Sequence, residues 1–137
     1  MLPVDEFRQQ LLEAERILDT DFSFDLAEPA YVCCLELVKD NPTERADFAH
    51  LLTSLFLEGR ISDEPVAFHM HKLRWPEVRE WAQGKLNTMA EPVLHGRPFL
   101  KIINAFADDW ENAEFYKTFS SGARTGSDRD VSFPQRK

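Results

Sequence analysis

Cysteine is nearly absent from the chain of 137 residues: the only two, Cys33 and Cys34, are neighbours. Adjacent helical residues point about 100° apart, so a disulfide between them would need strained, non-helical geometry. They read as two small buried hydrophobes in a reducing compartment. No uninterrupted apolar run approaches the ~18 residues of a membrane span. The opening MLPVDEFRQQ carries neither the basic nor the apolar region of a secretion signal. A cytoplasmic protein without a membrane partner is the expectation. Glycine is scarce at five residues, and the glycine-dependent turns G-x-G-x-x-G, P-loop and G-x-S-x-G do not occur. A cysteine nucleophile is not expected either, because a thiol inside an apolar helix ionises poorly. Basic residues are outnumbered 16 to 24 by acidic ones. Only the end of the chain, with Arg124, Arg129, Arg136 and Lys137, is locally positive, and Asp128 and Asp130 dilute it, so nucleic-acid binding is excluded.

What remains is helical. Val4, Phe7, Leu11, Ala14 and Leu18 recur at three and four residues, which predicts an amphipathic helix over 3–18 with Asp5 and Glu6 in its first turn. Residues 19–25 break the period and read as an acidic loop. The apolar run AYVCCLELV has strand length, but no second alternating segment exists to pair with it, so 28–39 reads as a helix. Asn41, Pro42 and Glu44 spell a capping box for a third helix ending at Gly59. Ser62 caps a fourth, which is apolar on two sides: Val66, Met70 and Leu73 against Phe68, His71 and Trp75. That pattern marks a central helix. Pro76 opens a fifth, Phe99, Ile102, Ile103 and Phe106 line a sixth, and Asp108 and Glu111 cap a last one through Phe119. The fold class is therefore all-α, an irregular array of six to seven helices. Pairing of the second with the third and the fourth with the fifth would allow HEAT-like stacked hairpins. Residues 1–119 form one helical domain, and 120–137, rich in Ser, Gly and charge, form a weakly structured tail.

Charge is polarised along the chain. Residues 1–68 hold fifteen carboxylates against five Lys or Arg, while residues 69–137 hold nine against eleven. A one-signed field attracts a partner of the opposite sign. The strongest candidate contact is the segment with Asp19, Asp21, Asp25 and Glu28, joined by Asp63 and Glu64 if hairpins stack. Phe22 and Phe24 stand among these acids in a loop, where aromatic rings are less needed for a core than as anchors.

A short, acidic, all-helical chain without catalytic motifs resembles the bacterial immunity proteins that neutralise a cognate secreted toxin. The residues prompting the likeness are the acidic N-terminal half, the stretch FHMHKLRWPEVREWA and the closing INAFADDWENAEFYKTF. The resemblance implies no catalysis and no cofactor: such a protein blocks a toxin's active site or clamps the toxin inactive. The expected partner is then a basic protein, a secreted bacterial toxin in the narrower form.

Two other readings stay open. A metal-dependent or acid–base enzyme would draw on His50, His69, His71 and His95 with Asp108 or Asp109. His69 and His71, two apart on a helix, diverge too far to share an ion, and no HExxH spacing is present. A helical homo-oligomer or adaptor would bury Phe and Trp of the fourth and fifth helices between copies.

Overall fold

The computed structural model describes residues 2–120 and folds them into eight α-helices, with no β-strand among the described residues. The expected tail, 120–137, lies outside them apart from Ser120, which the structure places at the end of the last helix. The first helix, α1 (Pro3–Asp21), has proline in its opening turn and buries Phe7, Leu11 and Ala14, the stripe its spacing predicts. Full burial of a Phe or Leu side chain contributes roughly 1.5–3 kcal/mol. The helix does not stop at residue 18. It runs to Asp21, where Phe22 takes a left-handed conformation and donates its backbone N–H to Leu18 O at 3.1 Å.

Ser23 is extended, and its Oγ accepts the Leu26 N–H at 3.3 Å, opening α2 (Phe24–Asp40). The expected seven-residue loop is thus a two-residue corner. Of its polar side chains, Ser23 caps α2 and Asp25 lies in its first turn, where the helix dipole favours a carboxylate, whereas Asp19 and Asp21 lie in the last turn of α1, where the dipole does not. α1 and α2 form the most extensive helix pair among the described residues. In α2, Cys34 is buried and its Sγ lies 3.7 Å from Phe7 O, whereas Cys33 faces solvent. Only one of the two cysteines is therefore the expected core residue.

Asn41 does not cap the next helix. Its Nδ2 donates to Leu37 O at 2.9 Å, closing α2, and Pro42–Glu44 form a single 3-10 turn before α3 (Arg45–Leu57). Gly59 is left-handed at φ 75°; its N–H reaches Phe56 O and that of Arg60 reaches Leu55 O, the paired bonds of a Schellman ending.

α4 (Asp63–Leu73) is the central helix, with every residue from Glu64 to Met70 buried. Val66 and Met70 belong to one apolar cluster with Phe7, Phe48 and Leu52; Ala67 and Phe68 belong to another with Tyr31 and Tyr116. Trp75 joins the Val66 and Met70 side rather than that of Phe68, because the left-handed Arg74 redirects the chain after α4. α5 (Pro76–Thr88) follows.

The short α6 (Pro92–His95) leads into α7 (Arg97–Asn104), which packs against both α4 and α5. The join is tight at Gly96: a Cβ there would lie 2.5 Å from Pro92 O and 2.6 Å from Leu86 Cδ2. The dominant pairings are α1 with α2, α4 with α7 and α5 with α7. The pairs required by HEAT-like stacking are not among them. The expected last helix is a 3-10 turn at Glu111–Phe115 and α8 (Lys117–Ser120), separated by an extended Tyr116.

Candidate functional site

The eight residues singled out from the sequence divide by direction. Asp19, Asp21, Phe22 and Asp25 are exposed around the α1–α2 corner. None of these three aspartates has a Lys, Arg or His within ion-pair distance among the described residues. The Phe22 ring is 84% exposed, nearby Leu26 in the first turn of α2 is 56% exposed, and Phe115 is 46% exposed. Phe24 is half-buried and lies parallel to Phe115, 5.1 Å between ring centroids at 1°, with the edge of Tyr116 at 5.7 Å. Phe24 therefore works mainly as a packing residue that presents Phe115 beside the corner.

Glu28 and Glu64 correct the expected acidic face, because both point inward. Glu28 is buried, and its carboxylate accepts the backbone N–H groups of Lys117 at 3.1 Å and Thr118 at 2.7 Å and the Thr118 hydroxyl at 2.5 Å. It caps the start of α8 from another helix. Glu64 accepts Asn112 Nδ2 at 2.9 Å and the Tyr116 hydroxyl. Burial, the largest cause, raises the Glu64 pKa; the bonds from Tyr116 and Asn112 oppose it. Burial and the Glu64 carboxylate push the Tyr116 phenol up. These two glutamates hold the segment 112–118 in place; an outside donor could be accepted only on lone pairs that these bonds leave free, since breaking the bonds would loosen the segment.

Asp63 stands between the two groups. It is partly exposed, 3.8 Å from Lys101 Nζ, and burial raises its pKa against the pull of Lys101 and Arg97. Glu15, which the sequence did not single out, links it to the corner. Glu15 is half-buried and accepts the Ser62 hydroxyl at 3.1 Å; its pKa is raised chiefly by burial and further by the like charges of Asp19 and Asp63. The end of α1 and the start of α4 thus share one negative region.

That region opens onto a cavity of about 310 Å³ lined by Asp63, Glu64, Lys101, Asn104, Asp109, Trp110, Glu111 and Asn112 among others. The run ADDWENAEF signalled its acids, but as helix caps rather than as a cavity wall. Beside Glu64, the hydroxyl of Tyr31 is buried with no partner among the described residues; burial first, then Glu64, pushes its pKa up.

The histidines do not converge. His69 is fully buried and its Nδ1–H donates to Pro65 O at 2.7 Å. His71 Nδ1–H donates to Ala105 O at 2.8 Å. His50 lies near Ser54, and His95 lies 3.8 Å from Glu91. Among the described residues no three His, Cys, Asp or Glu side chains are placed to hold a metal ion. Asp108 pairs with Arg74 at 3.2 Å. Phe68 and Trp75 are buried in the chain's own core and Trp81 is half-buried, which removes the first two from any contact between copies. Arg45 lies over the Trp75 ring at 5.4 Å and pairs with Glu77 through two bonds of 2.7 and 2.9 Å.

Compared with protein-family models, with curated proteins and with solved structures, the chain matches none.

Proposed function

We propose that the protein is a non-catalytic binding module that docks a basic protein partner through the α1–α2 corner. The observation that supports this most is Phe22. A phenylalanine in the left-handed region carries a conformational penalty that glycine would avoid, and its ring stands 84% exposed between Asp21 and Asp25. The left-handed turn itself ends α1, with the Phe22 N–H on Leu18 O, but neither the choice of phenylalanine there nor the exposure of its ring helps the chain to fold. An aromatic anchor surrounded by carboxylates that are unpaired among the described residues suits a basic surface with an apolar centre, where the ring supplies contact area and the field speeds encounter. Asp19, Asp21 and Asp25 surround that anchor, with Leu26 and Phe115 as its apolar neighbours; Asp63 extends the same field towards α4. In the narrower form suggested by the likeness to immunity proteins, the partner is a bacterial toxin held inactive by this contact.

The test is affinity capture from the native cell with the full chain and with an Asp21→Lys/Asp25→Lys variant, each at low and high salt. A basic protein should be held by the unaltered chain at low salt, released as salt screens the field, and not held by the variant, whose circular dichroism stays helical. The same protein retained equally in all four arms would reject this corner.

A further inference from the structure

The cavity beside α4 differs from the corner in being concave and walled. Glu64 contributes a buried carboxylate fixed by Asn112 and Tyr116, Trp110 contributes an apolar wall, and Asp109 and Glu111 stand exposed at the mouth. One ammonium group is already there: Lys101 Nζ, 3.8 Å from Asp63. That leaves Glu64, Asp109 and Glu111 facing the same space with no cation in ion-pair distance among the described residues. The amides of Asn104 and Asn112 add acceptors. At about 310 Å³ the cavity is at the lower end of the roughly 300–1,000 Å³ of ligand pockets, a size for one side chain rather than a large ligand.

The geometry points to an arginine side chain of the docked basic partner as the occupant of this cavity. The inference rests on the docking reading above, and it adds a concave specificity element to the exposed corner. A guanidinium group suits the lining better than an ammonium does. It is planar, weakly hydrated and carries five donors in a fork, so it can serve several carboxylate and amide acceptors at once while its stem lies against Trp110. A divalent cation suits it less, since among the described residues no three ligating side chains converge. The tilt of charge is also right. Asp63, Glu64 and the neighbouring Glu15 are held with raised pKa values, mainly by burial, and an incoming cation would offset part of that cost.

The experiment uses the full chain, isotope-labelled for nuclear magnetic resonance, and N-acetyl-arginine amide as the probe. Its neutral isostere, N-acetyl-citrulline amide, is the control. Arginine amide should shift the Trp110 indole N–H and the Asn112 side-chain amide along a saturating curve, and the citrulline compound should not. An Asp109→Asn/Glu111→Gln variant, altered only at exposed positions, should bind the probe roughly tenfold more weakly with unchanged circular dichroism. Shifts that do not saturate, that fall equally on Asp19 to Asp25, or that citrulline reproduces would overturn the assignment. The Asp21→Lys/Asp25→Lys variant separates the two proposals. Saturable arginine binding that survives in this variant supports the cavity even if partner capture proves indifferent to the corner. Capture lost in the variant, with no saturable binding of arginine amide by the unaltered chain, would overturn the cavity alone.

Discussion

Phe22 between α1 and α2 and Arg74 between α4 and α5 both end a helix in the left-handed region, at φ 52° and 55°, where a residue other than glycine sits at a cost of roughly 1–2 kcal/mol. At Arg74 the side chain offsets that cost. Its Nε donates to His71 O at 2.8 Å, one terminal nitrogen donates to Phe106 O at 2.6 Å and the other reaches Asp108 at 3.2 Å. The corner is thereby tied to the segment that follows α7, as is His71 through Ala105 O. At Phe22 the side chain offsets nothing, since the ring points into water. The same backbone strain is structural at one corner and unexplained by folding at the other, and the second case is the one that signals an outside partner.

Acid separates the two corners most strongly. α4, which ends at Arg74, holds His69 fully buried, and burial pushes its pKa down to about 4 despite its bond to Pro65. The unfolded chain takes up a proton there below about pH 6.5, whereas the folded chain resists until about pH 4. Stability from this group is thus present above pH 6.5 and falls as pH drops towards 4, by about 3 kcal/mol over the window. Glu15, Asp63 and Glu64, with raised pKa values, act the other way: the folded state takes up their protons first, so acid relieves part of their burial cost. The difference between the unaltered chain and His69→Leu, in urea unfolding at pH 7 and pH 4.5, isolates the histidine. Equal pH slopes in the two proteins would mean that His69 is not held neutral.

Arg74→Gly comes next. It relieves the strained backbone but removes three hydrogen bonds from a charged donor, each worth roughly 1.5–3 kcal/mol before allowance for solvent at a partly exposed site. A net loss of about 2 kcal/mol in denaturant unfolding is expected. A neutral or stabilising result would show that the links to Phe106 and Asp108 contribute little.

The contrast also explains what can be read from the sequence. Helix stripes such as Phe7, Leu11 and Ala14 are local and periodic, so they are legible, as are the central position of α4 and the left-handed Gly59. The exposure of Asp21, Phe22 and Asp25 agrees with a break in the apolar period. Inward carboxylates are not legible, because Glu28 meets Lys117 and Thr118, and Glu64 meets Asn112 and Tyr116, only after long stretches of chain have closed. The same holds for Phe24, whose partner Phe115 is supplied by the 3-10 turn near the end of the described chain. The capping signature at Asn41 misleads for a different reason: its side chain has a nearer acceptor in the helix behind it.

Phe22→Gly gives the smallest shift and the sharpest test of the two corners, because it is the change made at Arg74 with the opposite expected sign. Glycine occupies the left-handed region at no steric cost, and a ring 84% exposed gives up little buried area when removed. Against this stands the greater freedom of glycine in the unfolded chain, which takes back part of the gain. The net expectation is a stabilisation of about 1 kcal/mol, seen as a melting temperature higher by roughly 3–5 °C. Capture of the basic partner should weaken in the same variant. A more stable protein that binds less well is what a surface anchor requires, whereas a less stable one would place the Phe22 ring among the contacts that hold the corner together and remove the reason for looking outward.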